Sequence, residues 1–385
     1  MYIHRLLSDE ILDSLRNNPV TAVTGPRQCG KSTLVKNLLG AKPGYIYLDL
    51  ERPSDLNKLE QPEWFLQSQK NHLICLDEIQ RKPDLFPMIR SLVDEWNGNG
   101  HFLILGSASS DLLRQSSESL AGRISYKRLT PFLWNEISEV NNLEDYIHKG
   151  GYPRSLLKKD HQASLNWRKD FINTFLERDL LQWSGFSTET MRRLWQMMSH
   201  LNGQTINYSS LGGSLGISHT TVRNYVELLQ SVFMVEIVPP LLSNLGKRLI
   251  KSPKVYISDS GIASALLDLK DFPSIAGHPS FGALWESVVL ANLKGLFPYL
   301  DITFYRTSHG AEIDFIVTKG KKRLAIECKA SLSPSLSRGT YTAIDDLAPV
   351  KTLVVTPVVK GYPISKDIEV VSISEMIRQI NQFDE

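Results

Sequence analysis

Short apolar, β-branched runs alternate with helix-like stretches over the first third of the chain, and this alternation predicts a parallel sheet covered by helices. The runs fall at residues 20–24, 44–50, 72–76, 101–107 and 124–129. Leu34, Leu38 and Leu39 recur at helical spacing between the first two, as do Ile11, Leu12 and Leu15 ahead of them. From residue 143 to about 201 the period becomes helical throughout, with Trp167, Phe171, Phe175, Leu176, Leu194, Trp195 and Met198 forming an apolar stripe. A stripe of this kind predicts packed helices. Residues 208–229 then give a helix, a glycine turn, a Ser cap and a second amphipathic helix, the order of a helix-turn-helix. In the second helix Val222, Tyr225, Val226 and Leu229 make an apolar side and leave His219, Thr220, Arg223 and Asn224 on the other. Residues 232–238 and 254–257 read as a hairpin wing. Strand-like runs return at 303–306, 312–317, 324–329 and 350–356, between helical stretches at 284–293 and 373–383. The expected architecture is α/β and multidomain: a parallel-sheet core at 1–138, a helical lid at 139–200, a winged helix-turn-helix at 201–262 and a second α/β domain at 263–385.

The chemistry of the first segment lies in Gly25, Pro26, Arg27, Gln28, Cys29, Gly30, Lys31, Ser32 and Thr33, which match G-x-x-x-x-G-K-[S/T] between a strand and a helix. This is the pattern of a phosphate-binding P-loop. Gly25 and Gly30 let backbone N–H groups turn inward, the helix N-terminus favours an anion, Lys31 reaches the terminal phosphates, and Ser32 ligates Mg²⁺. The strand at 72–76 delivers Asp77 and Glu78 at its end. Asp77 is expected to hold the metal, and Glu78 to polarise an attacking water. ATP and Mg²⁺ are the implied cofactors.

Together with Leu76-Asp77-Glu78-Ile79-Gln80, Leu105-Gly106-Ser107, Leu120-Ala121-Gly122-Arg123 and Gly150-Gly151-Tyr152-Pro153-Arg154, the loop makes the chain resemble AAA family 14, ATPases usually fused to the domain of unknown function 4143. The resemblance spans essentially the whole chain. It implies that Ser107 orients the water between the acids. It also implies that Arg123, with Arg114 in reserve, reaches a neighbour's γ-phosphate as an arginine finger, so that the protein self-associates as a ring or other homo-oligomer. By likeness to related signalling and archaeal ATPases, Pro153 packs on the adenine and Arg154 senses the nucleotide.

A second signature comes from Asp314 on one strand and Glu327 and Lys329 on the next, a D…E-x-K pattern. Alternation along a strand places Glu327 and Lys329 on the same face. With Glu286 on the preceding helix, these residues predict a restriction-endonuclease-like (PD-(D/E)XK) fold, in which Asp314, Glu327 and Glu286 bind Mg²⁺ and Lys329 steadies the attacking hydroxide or the scissile phosphate.

Composition narrows the partners. The chain has 385 residues, too many for one ordinary core, and its formal net charge of +2 leaves any nucleic-acid surface to a local patch. Lys247, Arg248, Lys251 and Lys254 supply one on the wing, beside His219, Thr220, Arg223 and Asn224, so DNA is the expected partner. Cys29, Cys75 and Cys328 are far apart, with no zinc spacing, and are expected as free thiols. The absence of a signal-peptide pattern or membrane-length apolar run predicts a cytoplasmic protein. Three readings follow: a DNA-dependent ATPase, a nucleotide-controlled switch with a recognition domain, or an ATP-gated nuclease.

Overall fold

The computed structural model describes residues 2–40, 44–107, 119–179, 187–242 and 249–384. Two compact units are present: residues 1–132 with 231–233, and residues 133–230 with 234–385.

The first unit is built on five strands: β1 (Val20–Gly25), β2 (Tyr45–Asp49), β3 (Leu73–Asp77), β4 (Phe102–Ser107) and β5 (Ile124–Arg128). All pair in parallel in the order β2-β3-β4-β1-β5. Alternating side chains feed two cores, as expected of a sheet covered on both faces. Val20, Ala22, Ile74, Leu76, Phe102 and Ile104 meet Phe86, Ile89 and Val93 of helix Leu85–Trp96. Val23, Cys75, Leu103 and Leu105 meet Ile11, Leu34 and Val35 on the opposite face. This strand order sets β4 between β1 and β3. Arg114, the reserve candidate for the finger, lies outside the described residues.

The second unit contains the helical region, the helix-turn-helix and the C-terminal sheet together. Helices Leu143–Lys149, His161–Thr174 and Thr188–His200 follow the aromatic stripe, which buries Phe171, Phe175, Leu194, Trp195 and Met198. Helix Tyr208–Leu215 stops at Gly216, which has positive φ, and helix His219–Ser231 begins three residues later. Beside them is a small antiparallel sheet of β6 (Gln204–Thr205), β7 (Val235–Val238) and β8 (Lys254–Ile257), ordered β6-β8-β7.

The C-terminal sheet holds β9 (Asp301–Arg306), β10 (Glu312–Lys319), β11 (Lys322–Cys328), β12 (Lys351–Val355), β13 (Tyr362–Pro363) and β14 (Ile368–Val371), in the order β13-β14-β12-β11-β10-β9. β10 runs antiparallel to both β9 and β11, whereas β11, β12 and β14 run parallel. Helix Phe281–Leu296 is almost wholly apolar and buries Leu284, Trp285, Val288 and Leu293, which fixes Glu286 on a rigid element. Among the described residues no helix is long and apolar enough to cross a membrane.

Candidate nucleotide site and acidic pocket

Gly25 ends β1 directly against the carbonyl of Leu129. A Cβ at Gly25 would lie 2.1 Å from that oxygen, so glycine is required by close approach. Gln28 and Gly30 take φ of 60° and 105°, turning the loop into the N-terminus of helix Lys31–Leu39. Buried Arg5 donates to the carbonyls of Cys29 at 3.1 Å and Thr130 at 2.7 Å, tying the loop to the chain after β5. Cys29 is itself buried with Sγ 3.6 Å from the Leu129 oxygen, which accounts for a small side chain there. All three cysteines are free and buried. Lys31 Nζ donates to the carbonyls of Gly25 and Pro26 at 2.9 Å each. Backbone N–H groups at a helix start, with an ammonium held beside them, form an anion site.

Asp77 ends β3 in register with Asp49 of β2. Its Oδ1 accepts the Glu78 N–H at 3.0 Å and its Oδ2 accepts the Tyr47 hydroxyl. Burial, and then Asp77, push the Tyr47 phenol far above its ordinary range, so it remains a donor. Ser32 acts on that hydroxyl in the opposite sense, favouring its charged form. Ser32, in the first turn of helix Lys31–Leu39, and Asp77, at the end of β3, are oxygen donors of the kind that suits a hard, hydrated cation such as Mg²⁺. Glu78 sits in left-handed backbone, φ 57° and ψ 46°, with its Oε2 accepting from Gln80 Nε2. Ser107 lies opposite Gly25 in the β1–β4 register, at the same sheet edge.

Arg123 lies at the other end of this sheet, where its carbonyl accepts from Val20 at the start of β1. Its guanidinium grips Asp94 through Nε at 2.5 Å and a second nitrogen at 3.0 Å. That pairing holds the arginine pKa up and the Asp94 carboxyl down.

The Gly150–Arg154 stretch belongs to the second unit and has its own packing logic. The Gly151 N–H donates to Asp259 Oδ2 at 2.7 Å, and a Cβ at Gly150 would lie 2.1 Å from Asp259 Oδ1. Pro153 opens a one-turn helix, Arg154 is exposed, and Tyr152 is buried against Phe171. Nearby, Arg168 is fully buried and donates to the carbonyls of His148 at 2.7 Å and Gly261 at 2.9 Å. Burial, aided by Arg168, lowers the His148 imidazole to about 4. An unfolded histidine titrates near ~6.5. The native state therefore binds fewer protons between these values, and the contribution present above pH ~6.5 is lost as pH falls through the folded value. We expect the urea midpoint to drop on acidification with a loss of roughly 3 kcal/mol at pH ~4, and His148→Gln to flatten that slope.

On helix His219–Ser231, Val222, Tyr225, Val226 and Leu229 are buried, while His219, Thr220, Arg223 and Asn224 are exposed. Arg223 lies over the Tyr208 ring, 5.2 Å from its centroid. Lys251 is exposed, and Lys247 and Arg248 lie outside the described residues. Lys254 corrects the sequence-based expectation of a phosphate contact on the wing. It is 1 % exposed, and its Nζ stands 2.8 Å from Glu312, 3.3 Å from Asp314 and 3.9 Å from Glu286. Desolvation opposes its charge, but the surrounding acids outweigh it and raise the ammonium pKa.

These acids line a cavity of about 440 Å³ with Glu327, Lys329, Ser337 and Thr340. Lys329 donates to Glu327 Oε1 at 2.6 Å, Thr340 reaches the same oxygen at 3.2 Å, and Cys328 N–H donates to Asp314 Oδ2 at 2.9 Å. Tyr256 donates to Glu286 Oε2 at 2.8 Å. Burial, then the charge of Asp314, push Glu286 up to about 8 and Glu327 up to about 7. The D…E-x-K residues and Glu286 therefore do converge. Among the described residues no three His, Cys, Asp or Glu side chains are placed to hold a metal ion. The ammonium of Lys254 stands among the acids instead.

Arg5, Tyr47, Tyr256 and Glu312 were missed from sequence. Glu312 had a signal, since it precedes Asp314 by two on the same strand face, and Lys254 and Tyr256 share that spacing on β8. Arg5 and Tyr47 act through contacts 24 and 30 residues away, which no local pattern encodes.

Residues 17–138 match the family described as AAA domain, residues 140–272 the domain of unknown function DUF8612, and residues 281–376 the domain of unknown function DUF4143. With the phosphate loop and the Asp77–Glu78 strand end, the first match defines an ATPase of AAA type, which binds and hydrolyses ATP. The chain belongs to the family of AAA ATPases that carry the domain of unknown function 4143. Uncharacterized proteins of Mycobacterium tuberculosis and Mycobacterium bovis are each 37% identical over 365 residues, covering 94% of this chain and 82% of theirs. Among solved structures, a Walker-type ATPase of Pyrococcus abyssi covers 69% of this chain and 96% of its own, at 17% identity and a TM-score of 0.48.

Proposed function

We propose that the protein is an oligomeric, DNA-dependent ATPase whose second unit is a winged helix joined to a nuclease-like domain that holds DNA. One observation carries this reading. Helix His219–Ser231 leads into β7, with the Met234 N–H donating to the Leu229 carbonyl at 2.8 Å, and β7 pairs with β8, the strand that delivers Lys254 and Tyr256 into the D…E-x-K pocket, so a candidate groove-reading helix and a polar pocket are joined through one short sheet. Arg223 and Asn224 are the side chains suited to base edges, and Lys251 to phosphate.

In the ATPase unit, Lys31 exchanges its bonds to the Gly25 and Pro26 carbonyls for phosphate oxygens, while Ser32 and Asp77 hold Mg²⁺. Glu78 orients the attacking water, with Ser107 at the same sheet edge. Arg123 serves a neighbour's site, which requires it to leave Asp94.

The test is the ATPase rate of the full chain with duplex, forked and junction DNA. Turnover should rise with at least one of them, and Arg123→Ala should cut turnover by about 10³-fold while nucleotide affinity is kept. Arg223→Ala should weaken DNA binding by about 1–3 kcal/mol, and Lys251→Ala should reduce the salt slope by about 1. A rate indifferent to every DNA, with no binding at low salt, removes the DNA reading. Normal turnover in Arg123→Ala removes the shared site.

A further inference from the structure

We propose that Lys254 is the resident cation of the acidic pocket and excludes a divalent metal from it. Lys254 comes from β8, outside the matched C-terminal segment 281–376, yet its ammonium lies within 4 Å of Glu286, Glu312 and Asp314. It is held there by more than charge. Its strand is paired on both sides, with Val238 opposite Lys254 on β7 and Thr205 opposite it on β6. The ammonium also faces the Phe304 ring, 5.4 Å from the centroid. A side chain so buried cannot swing out to make room for an ion.

The acids have further partners within the protein as well. Arg306 stands 3.4 Å from Glu312, Lys329 2.6 Å from Glu327, and Tyr256 donates to Glu286. In metal sites built from carboxylates, the ion is the charge that lets the acids crowd together. Here side chains supply that charge, and a second cation among the same oxygens would face the fixed ammonium at close range. Glu327 Oε2 is a buried oxygen of the set with no hydrogen-bond partner among the described residues. The charge of the pocket is thus balanced by side chains rather than by a metal ion.

The experiment is a Mn²⁺ titration followed by electron paramagnetic resonance. It uses the full-length, nucleotide-free protein, with Asp77→Asn in every variant so that the nucleotide site contributes nothing. No DNA is present, so the outcome is independent of the DNA reading. The Lys254 parent should bind no more Mn²⁺ than its Asp314→Asn derivative. Lys254→Met should gain affinity of about tenfold or more, and lose it again when combined with Asp314→Asn. Lys254→Arg, which keeps the charge, should behave as the parent. Mn²⁺ binding by the parent that Asp314→Asn abolishes overturns the inference, and this comparison does not depend on the folding of Lys254→Met. A folded Lys254→Met with an unchanged isotherm overturns it too.

Discussion

Glu78→Gln is expected to slow ATP turnover by about 10²–10⁴-fold while ATP still binds. The amide keeps the size of the carboxylate and one acceptor oxygen, so the backbone and the bond from Gln80 can survive. What disappears is the charge that draws a proton from water. Glu78 adopts left-handed backbone, a conformation costing roughly 1–2 kcal/mol for a residue with a Cβ. It is held by the Asp77 side chain on its N–H and by Gln80 on its carboxylate. Strain retained at the end of a buried strand beside a phosphate loop is typical of a catalytic position. The check is a pair of measurements, steady-state phosphate release and equilibrium binding of a labelled nucleotide. Loss of both together would make Glu78 a structural residue, and loss of neither would move the base elsewhere.

The second large effect is on stability. Arg168→Met should destabilise the second unit by about 3–5 kcal/mol. Its guanidinium is buried, with its pKa pushed down to about 10 by that burial, so it is charged at neutral pH. It donates to the carbonyls of Ser164, His148 and Gly261, and so joins helices Leu143–Lys149, His161–Thr174 and Ser260–Leu266. Methionine fills the space but leaves these carbonyls without their donor and Asp259 without the positive charge beside it. Chemical denaturation followed by circular dichroism should show the change, with nucleotide binding in the first unit kept. A loss below about 1 kcal/mol would mean that water replaces the guanidinium.

The ATPase sheet was legible because its strands are continuous apolar runs and its loop carries glycines that the backbone requires. Gly25, Lys31 and Asp77 are fixed by local pattern, and their strand ends fall where the pattern places them. The helix-turn-helix was legible for the same reason, since Val222, Tyr225, Val226 and Leu229 repeat with the helix period and are buried. Lys254 was not. In sequence it is one more base in a basic segment, and only strand alternation on β8, combined with pairing to acids 32 to 60 residues away, turns it inward. The Gly150–Gly151 pair likewise reads as a plain turn until Asp259 is placed against it. Long-range ion pairs leave no periodic trace, and residues that serve them look like surface.

The position of Lys254 and Tyr256 has a consequence for how this architecture can be inherited. A gene fragment starting at the C-terminal match, residue 281, would encode Glu286, Glu312 and Asp314 but neither the Lys254 ammonium beside all three nor the Tyr256 phenol that donates to Glu286. Recombination at that boundary would graft crowded carboxylates onto a foreign neighbour. The small sheet and the C-terminal domain therefore complete one pocket, and a cut between them separates the acids from their cation.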